Sequence, residues 1–357
     1  MVRIFVRRTN DVRYFTQDPA RELDGLRDGG PGWWLRGGGN TRNAEDVARV
    51  LTTTPRASVT GYDLVMAAPR PISILVALDP DRASQVVRAH RSSVRAAVQY
   101  LEERALVVRE RRNYEDLDRT AKWENIVSFT HGINRHTEPH LHDHVLVGAR
   151  PVDSRNVLDG RSLFVHASAA DALYRASLRH ELGERTPWRA WRSFGGVEHV
   201  AGLDEGYRVL WGGHHDQRGE KVLWERDEVV AHWRDTERRY ESQGFVPLPP
   251  RKDFDEHAFA GAFEGRIAVA RRHVVTAWSN AAVYGQEPAA MNKAIDELLP
   301  SLRESRGVRE LTVGVTEARM VAMIRDHGPR PTRAEDLARW TQQSRERPSG
   351  VDRSRGR

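Results

Sequence analysis

The sequence contains no cysteine. That excludes disulfides, thiol nucleophiles and thiolate metal sites, so any bound metal must be held by imidazole nitrogen or by oxygen. Long hydrophobic runs are also missing. No segment approaches the roughly 18 uninterrupted apolar residues that a membrane helix needs. The longest largely apolar stretch, Ile72 to Leu78, is short and follows Pro69, Arg70 and Pro71. The N-terminus does not have the pattern of a signal peptide, because Arg3, Arg7 and Arg8 interrupt it and no apolar core follows. A cytoplasmic protein without a membrane partner is therefore expected. No internal repeat is visible.

What remains is globular in composition. Of 357 residues, 39% are hydrophobic and 30% charged, enough to bury a core in one large domain or two ordinary ones. The net charge is +6, from 56 basic and 50 acidic residues, and arginine greatly outnumbers lysine. Arginine grips phosphates bidentately and stacks on bases. A GC-rich genome would produce the same bias, so charge alone only makes nucleic acid a reasonable partner.

Along the chain, residues 1–8 alternate as a strand does, and the glycine-dense residues 25–40 read as a loop around Trp33 and Trp34. Thr60 to Ala67 has strand character. Apolar positions from Ala83 to Leu101 recur at helical spacing and predict a helix over about Asp81–Glu103, with Asp79 as cap and Pro80 in its first turn. Lys122–Thr130 and Leu141–Gly148 read as strands separated by a polar turn, Asn134–Pro139. A helix over Ser162–Leu182 should end before Gly183. Short strand pieces follow near His199 and at Tyr207–Leu210. Helices are expected over Asp227–Gln243 and Asp253–Tyr284. Pro247, Pro249 and Pro250 suggest a domain break. The expected division is 1–245 for the main domain, 246–340 for a helical region and 341–357 for a disordered basic tail.

The most informative segment is Phe129 to Val147, FTHGINRHTEPHLHDHVLV. His142 and His144 lie two apart on a predicted strand and so share one face, while Asp143 between them points to the other. His131 ends the preceding strand and meets them if the two strands pair. Three imidazoles on one face suit a divalent metal and leave coordination positions open for substrate, which favours chemistry over scaffolding. The plainer reading is a surface accident in a chain with 15 histidines; His136 and His140 lie in the same segment.

This segment resembles the three-histidine motif of the HUH endonuclease superfamily. More narrowly, it resembles the relaxases of the MobF class (the TrwC/TraI type): His131, Arg135, Pro139, Leu141, His142, His144 and Val145 keep the motif's spacing. Residues 61–76, GYDLVMAAPRPISILV, resemble a second block of that class. Asp63 stands at its aspartate, Arg70 where lysine is usual, and Pro71 where serine is usual. The turn of Gly32–Gly39 and the helix carrying Tyr174, Arg175 and Leu178 resemble further blocks, in the same order, over roughly residues 1–245.

The resemblance implies an α+β fold with a central antiparallel sheet of about five strands flanked by helices. It implies site-specific nicking of one DNA strand by a tyrosine near the N-terminus, giving a 5′-phosphotyrosyl intermediate at an origin of transfer during conjugation. Tyr14 is the candidate nucleophile, since no other tyrosine precedes Tyr62. Its plainer reading is an aromatic packed beside Phe15. His131, His142 and His144 would hold the metal, with magnesium or manganese expected and zinc, nickel or copper also compatible. Asp63 would orient a histidine or accept a proton; it could also simply end a turn. Arg7, Arg8, Arg70 and Arg135 could contact DNA, although Arg135 could instead pair with Glu138.

Two departures stand out. No second tyrosine occurs in Asp18–Asp28, so finishing strand transfer could need a second copy. No G-x-x-x-x-G-K-[ST] phosphate loop marks a helicase, so either the chain is a fragment or a separate helicase is a partner. An accessory DNA-binding protein, a secretion coupling protein and passage with DNA into a recipient cell are further expectations. The alternatives are a rolling-circle replication initiator, with Tyr174 as nucleophile, and a noncatalytic DNA-binding protein with a structural metal.

Overall fold

The computed structural model describes residues 2–9, 11–12, 15, 32–36, 40–41, 44–51, 58–112, 115–134, 136–152, 154, 156–185, 191–194, 197–208, 210, 226–244, 254–263, 270–298, 303–305 and 308–310. The chain divides into two compact units. One comprises Met1–Leu248 with Tyr284–Pro288, and the other Pro249–Val283 with Ala289–Arg357. The expected tail, 341–357, lies outside the described residues. No helix among the described residues is long and apolar enough to cross a membrane.

In chain order the first unit runs β1 (Val2–Arg7), β2 (Gly32–Arg36), β3 (Asn40–Thr41), α1 (Ala44–Val50), β4 (Gly61–Ala67), α2 (Arg70–Leu78), α3 (Pro80–Ala105), β5 (Val107–Arg112), β6 (Glu115–Thr120), β7 (Ile126–Ile133), β8 (Pro139–Gly148), α4 (Gly160–Arg185), β9 (Trp191–Phe194), β10 (Val197–Val200), a 3-10 turn at Glu205–Arg208, and α5 (Arg226–Arg239). Six strands form one sheet in the order β1-β4-β8-β7-β2-β3, and every neighbouring pair is antiparallel. The expected antiparallel sheet is present; the two-residue β3 at one edge makes the count six.

Both faces of this sheet are covered, but unequally. On one face α3 packs against α4, and α4 against β1. Asp171 of α4 fixes β1 by accepting from the backbone N–H of Val2 at 2.8 Å. On the other face, Val12, Phe15, Val47, Val50 and Leu51 close over Val127, Phe129 and Leu146. Burying these aliphatic and aromatic groups contributes on the order of 1.5–3 kcal/mol each. Among the described residues, this cover ends where the histidines begin. Beyond them, Ile74, Ile133, Val229 and Trp233 gather α2 and α5 against the end of β7, and Trp233 Nε1 donates to the Thr137 carbonyl at 2.7 Å.

Several elements depart from the sequence reading. The stretch read as a glycine loop contains β2, whose aromatic pair sits opposite Ser128 and Val127 of β7; aromatics favour the pleat even between glycines. α4 runs through Gly183 to Arg185, because packing against α3 outweighs the roughly 1 kcal/mol cost of one glycine. Tyr207 lies in the 3-10 turn, not a strand. The hairpin β5–β6 is too charged to show strand alternation; instead Arg119 bridges Glu110 at 2.8 Å and Arg109 bridges Asp118 at 3.6 Å across it.

The second unit contains α6 (Glu256–Gly261), α7 (Arg271–Ala281) and most of α8 (Pro288–Leu298), with a short pair β11 (Arg303–Ser305) and β12 (Val308–Glu310). A single helix over Asp253–Tyr284 is therefore corrected to two. The reason is aromatic packing. Trp278 lies 5.0 Å from Phe254 and 5.6 Å from Phe259 between ring centroids. In one continuous helix Phe254 and Trp278 would stand about 36 Å apart.

Candidate active site

The pleat brings three histidines together. β7 and β8 pair with His131 directly opposite His142, and Phe129 opposite His144. Residues facing each other across an antiparallel pair share a face, as do residues two apart on a strand. The three rings form a nearly equilateral triangle, with centroids 5.1 Å apart for His131–His142, 5.1 Å for His131–His144 and 5.2 Å for His142–His144. One ligand nitrogen from each lies within 4.8 Å of the others. His131 and His142 are buried, and His144 is nearly so.

Hydrogen bonds set the orientation of two of these rings. Val65 of β4 lies opposite His144, so Asp63, two residues along, shares the face. Its carboxylate accepts from His144 Nδ1–H at 2.9 and 3.0 Å. The His142 Nδ1–H donates to the His140 carbonyl at 2.8 Å. A carboxylate and a carbonyl only accept, so both rings carry a proton on Nδ1, which makes Nε2 the nitrogen left for a ligand role. Burial, reinforced by the charges of His140, His131 and His144, holds His142 well below its usual pKa. A neutral ring is the form a metal needs. Nitrogen donors, two oriented rings and the lack of a fourth protein ligand among the described residues fit an open divalent-metal site.

His142 and His144 open onto a cleft of about 400 Å³ whose lining also includes Arg3, Phe5 and Arg7 of β1. His140, one turn of the pleat from His142, also faces it, with ring centroids 4.7 Å apart. Its pKa is pushed down to about 4, by burial first and then by the charges of Arg70, Arg3 and other neighbours. Phe15 closes one side, 5.3 Å from the His144 ring and 5.3 Å from Phe129.

The remaining candidates divide. Tyr14 and Arg135 lie outside the described residues, as do the side chains of Trp33 and Trp34. Arg70 reaches Glu138 at 3.4 Å, the partner considered for Arg135, and Asn134 Nδ2 donates to the same Glu138 oxygen at 2.6 Å. Arg7 lines the cleft, donates to the Asp11 carbonyl and lies 5.4 Å from the Phe15 ring. Arg8 is exposed beyond the cleft and donates to the Ser58 carbonyl at 3.4 Å.

The opposite face of β8 holds a network that sequence reading missed. Asp143 is fully buried. It accepts from His90 Nε2–H at 2.9 Å and from the Ser128 hydroxyl at 2.6 Å. The Tyr174 hydroxyl in turn meets His90 Nδ1 at 2.7 Å. Burial works against the Asp143 charge, but His90 and the hydroxyl donors outweigh it and hold the carboxyl below its usual range. Burial, with the charges of Asp143 and Asp171, pushes the Tyr174 phenol well up. Tyr174 therefore sits on the sealed side of the sheet as a protonated structural donor. The parity of Asp143 was the only sequence signal for this network; nothing marked His90.

A protein-family model described as TrwC relaxase matches residues 16–241. No curated protein matches the chain. Among solved structures, TrwC complexed with a 27-mer DNA comprising the recognition hairpin and the cleavage site is similar, with a TM-score of 0.53 and 17% identity; it covers 67% of this chain and 98% of that one. The metal-bound structure of conjugative relaxase TrwC with oriT DNA gives a TM-score of 0.52 and 18% identity, over the same shares. A copper-bound structure gives 0.51 and 19%, again over 67% and 98%. Because the family model spans well over half of its length, the chain belongs to the TrwC relaxase family.

Proposed function

We propose that the chain nicks one strand of DNA at an origin of transfer and passes that strand on during conjugative transfer of a plasmid or integrative element. The observation that carries this reading is the constellation of His131, His142, His144 and Asp63 on one open sheet face. It stands beside Phe15, the residue that follows Tyr14. The related TrwC structures contain DNA with its cleavage site, and some contain metal.

In this reading Tyr14 Oη attacks the scissile phosphorus. The bond from phosphorus to the 3′ oxygen breaks, and that oxygen takes up the equivalent of the proton the phenol loses, leaving a 5′-phosphotyrosyl strand and a free 3′-hydroxyl. One phosphodiester replaces another, so the step is reversible and suits rejoining. A divalent ion held by His131, His142 and His144, magnesium or manganese in cells, would neutralise the phosphate oxygens that repel the incoming phenolate. Both Asp63 oxygens lie within hydrogen-bond distance of one His144 nitrogen, which supports an orienting role. Its remaining lone pairs could take the phenol proton, which otherwise leaves only near pH 10. The nuclease function is assigned to residues 1–245. A helicase, in the same longer chain or in another protein, and a secretion coupling protein would act with it in the bacterial cytoplasm.

The test is a denaturing gel of the protein with single-stranded oligonucleotides from its element's candidate transfer origin, plus manganese or magnesium. A covalent adduct that disappears with Tyr14→Phe and with chelator is expected. Tight DNA binding without an adduct on any substrate would favour the noncatalytic reading.

A further inference from the structure

β1 is an edge strand, and its alternate residues Arg3, Phe5 and Arg7 all line the histidine cleft. Phe5 is 50% exposed, an unusual state for a phenylalanine on a face shared with a candidate catalytic centre. Its position is fixed by register, because Phe5 sits directly opposite Asp63, the carboxylate that orients His144. Two neighbouring positions on the same face carry guanidinium groups about 7 Å to either side, at two residues of strand rise each. Arg7 is half-buried and anchored beside the cleft, donating to the Asp11 carbonyl and lying 5.4 Å from the Phe15 ring. A bare aromatic face flanked by cations is what a single nucleic-acid strand requires. The ring takes a base by stacking and the guanidiniums take the phosphates on either side.

Building on the proposed relaxase reading, we infer that Phe5 is a stacking platform for one base of the single strand lying next to the scissile phosphate. Arg3 and Arg7 hold the flanking phosphates. The contact is sequence-tolerant, because every base has a π-face. It places the strand on the β1 side of the cleft, across the Asp63 position from His144. An apolar contact that merely covered Phe5 would use its area; a stacking contact uses its ring.

The experiment measures affinity by fluorescence anisotropy for a labelled 12-nucleotide dT strand and for the same strand with abasic sugars. It uses the full chain as wild type, Phe5→Ala, Phe5→Leu and Phe5→Trp. Stacking predicts that Phe5→Ala weakens dT binding about 5- to 100-fold, that Phe5→Leu weakens it comparably, and that Phe5→Trp stays near wild type. On the abasic strand the four proteins should bind alike. Unchanged melting temperatures check that the half-exposed site tolerates each change. The inference is overturned if Phe5→Ala binds like wild type, if Phe5→Leu keeps full affinity, or if the loss persists on the abasic strand. A concentration-dependent dimer abolished by Phe5→Ala, with DNA affinity unchanged, would overturn it in favour of edge-to-edge pairing. In all these cases wild type still binds the dT strand and the relaxase reading survives; failure of wild type to bind any single strand removes both.

Discussion

The tripeptide His142–Asp143–His144 serves two faces of one sheet with opposite results. His142 and His144 face a cleft, with Nδ1 occupied and Nε2 presented. Asp143 faces helices α3 and α4, where every oxygen finds a donor and no solvent enters. The same pair of residue types, histidine and aspartate, recurs on each side. On the open side Asp63 orients an imidazole that belongs to the three-histidine group. On the sealed side Asp143 holds an imidazole whose other nitrogen is already taken by Tyr174. Whether a carboxylate–histidine pair is a site or a strut is decided by what the second nitrogen meets.

That comparison can be broken most sharply on the open face. His131→Ala or His142→Ala should reduce covalent adduct formation to background and abolish high-affinity manganese binding in calorimetry, with the metal-free melting temperature nearly unchanged. On the sealed face the ordering reverses. Asp143→Ala should cost about 3–5 kcal/mol of stability in urea unfolding, because it strands a buried imidazole without its partner. The pH dependence follows from the depressed Asp143 pKa. Its contribution is present above the ordinary carboxylate value and is lost as pH falls through the lower folded value, so Asp143→Asn should flatten the acid limb of the stability curve.

Asp63→Asn provides the matched test on the open side. It should weaken metal binding about 10- to 100-fold, the usual consequence of losing the partner that orients a ligand, while thermal stability changes little. The smallest effect belongs to Tyr174→Phe. Removing the hydroxyl leaves His90 Nδ1 without its donor at a cost of about 1–3 kcal/mol, and adduct formation should persist. Loss of the adduct in Tyr174→Phe, at a temperature where the variant is folded, would contradict the division of labour between the faces.

The open face was legible in the sequence because period-two spacing translates directly into a shared face. His142 and His144 needed only the strand, and His131 only the pairing of two neighbouring strands. Asp63 was identified by resemblance; the sheet adds the reason, since β4 lies beside β8 and brings its carboxylate to His144 Nδ1. The sealed network was not legible. His90 lies on α3 and Tyr174 on α4, and only the packing of those helices beneath β8 brings them to Asp143. Phe5 escaped notice for a similar reason: in the sequence it is one apolar residue among several in β1, and its exposure is a property of the edge. The helical count in the second unit failed because periodicity records a helix without recording where it folds back. Phe254 and Trp278 reveal that turn only through their contact.

The central claim is that the open face serves Tyr14 and the sealed face does not serve Tyr174. It is tested most directly by mass spectrometry of the covalent product. The protein would be incubated with a transfer-origin strand and manganese, then digested with trypsin and nuclease. The account predicts a nucleotide phosphate on the peptide spanning residues 14–21, whose only tyrosine is Tyr14. A nucleotide on the Tyr174 peptide would contradict it.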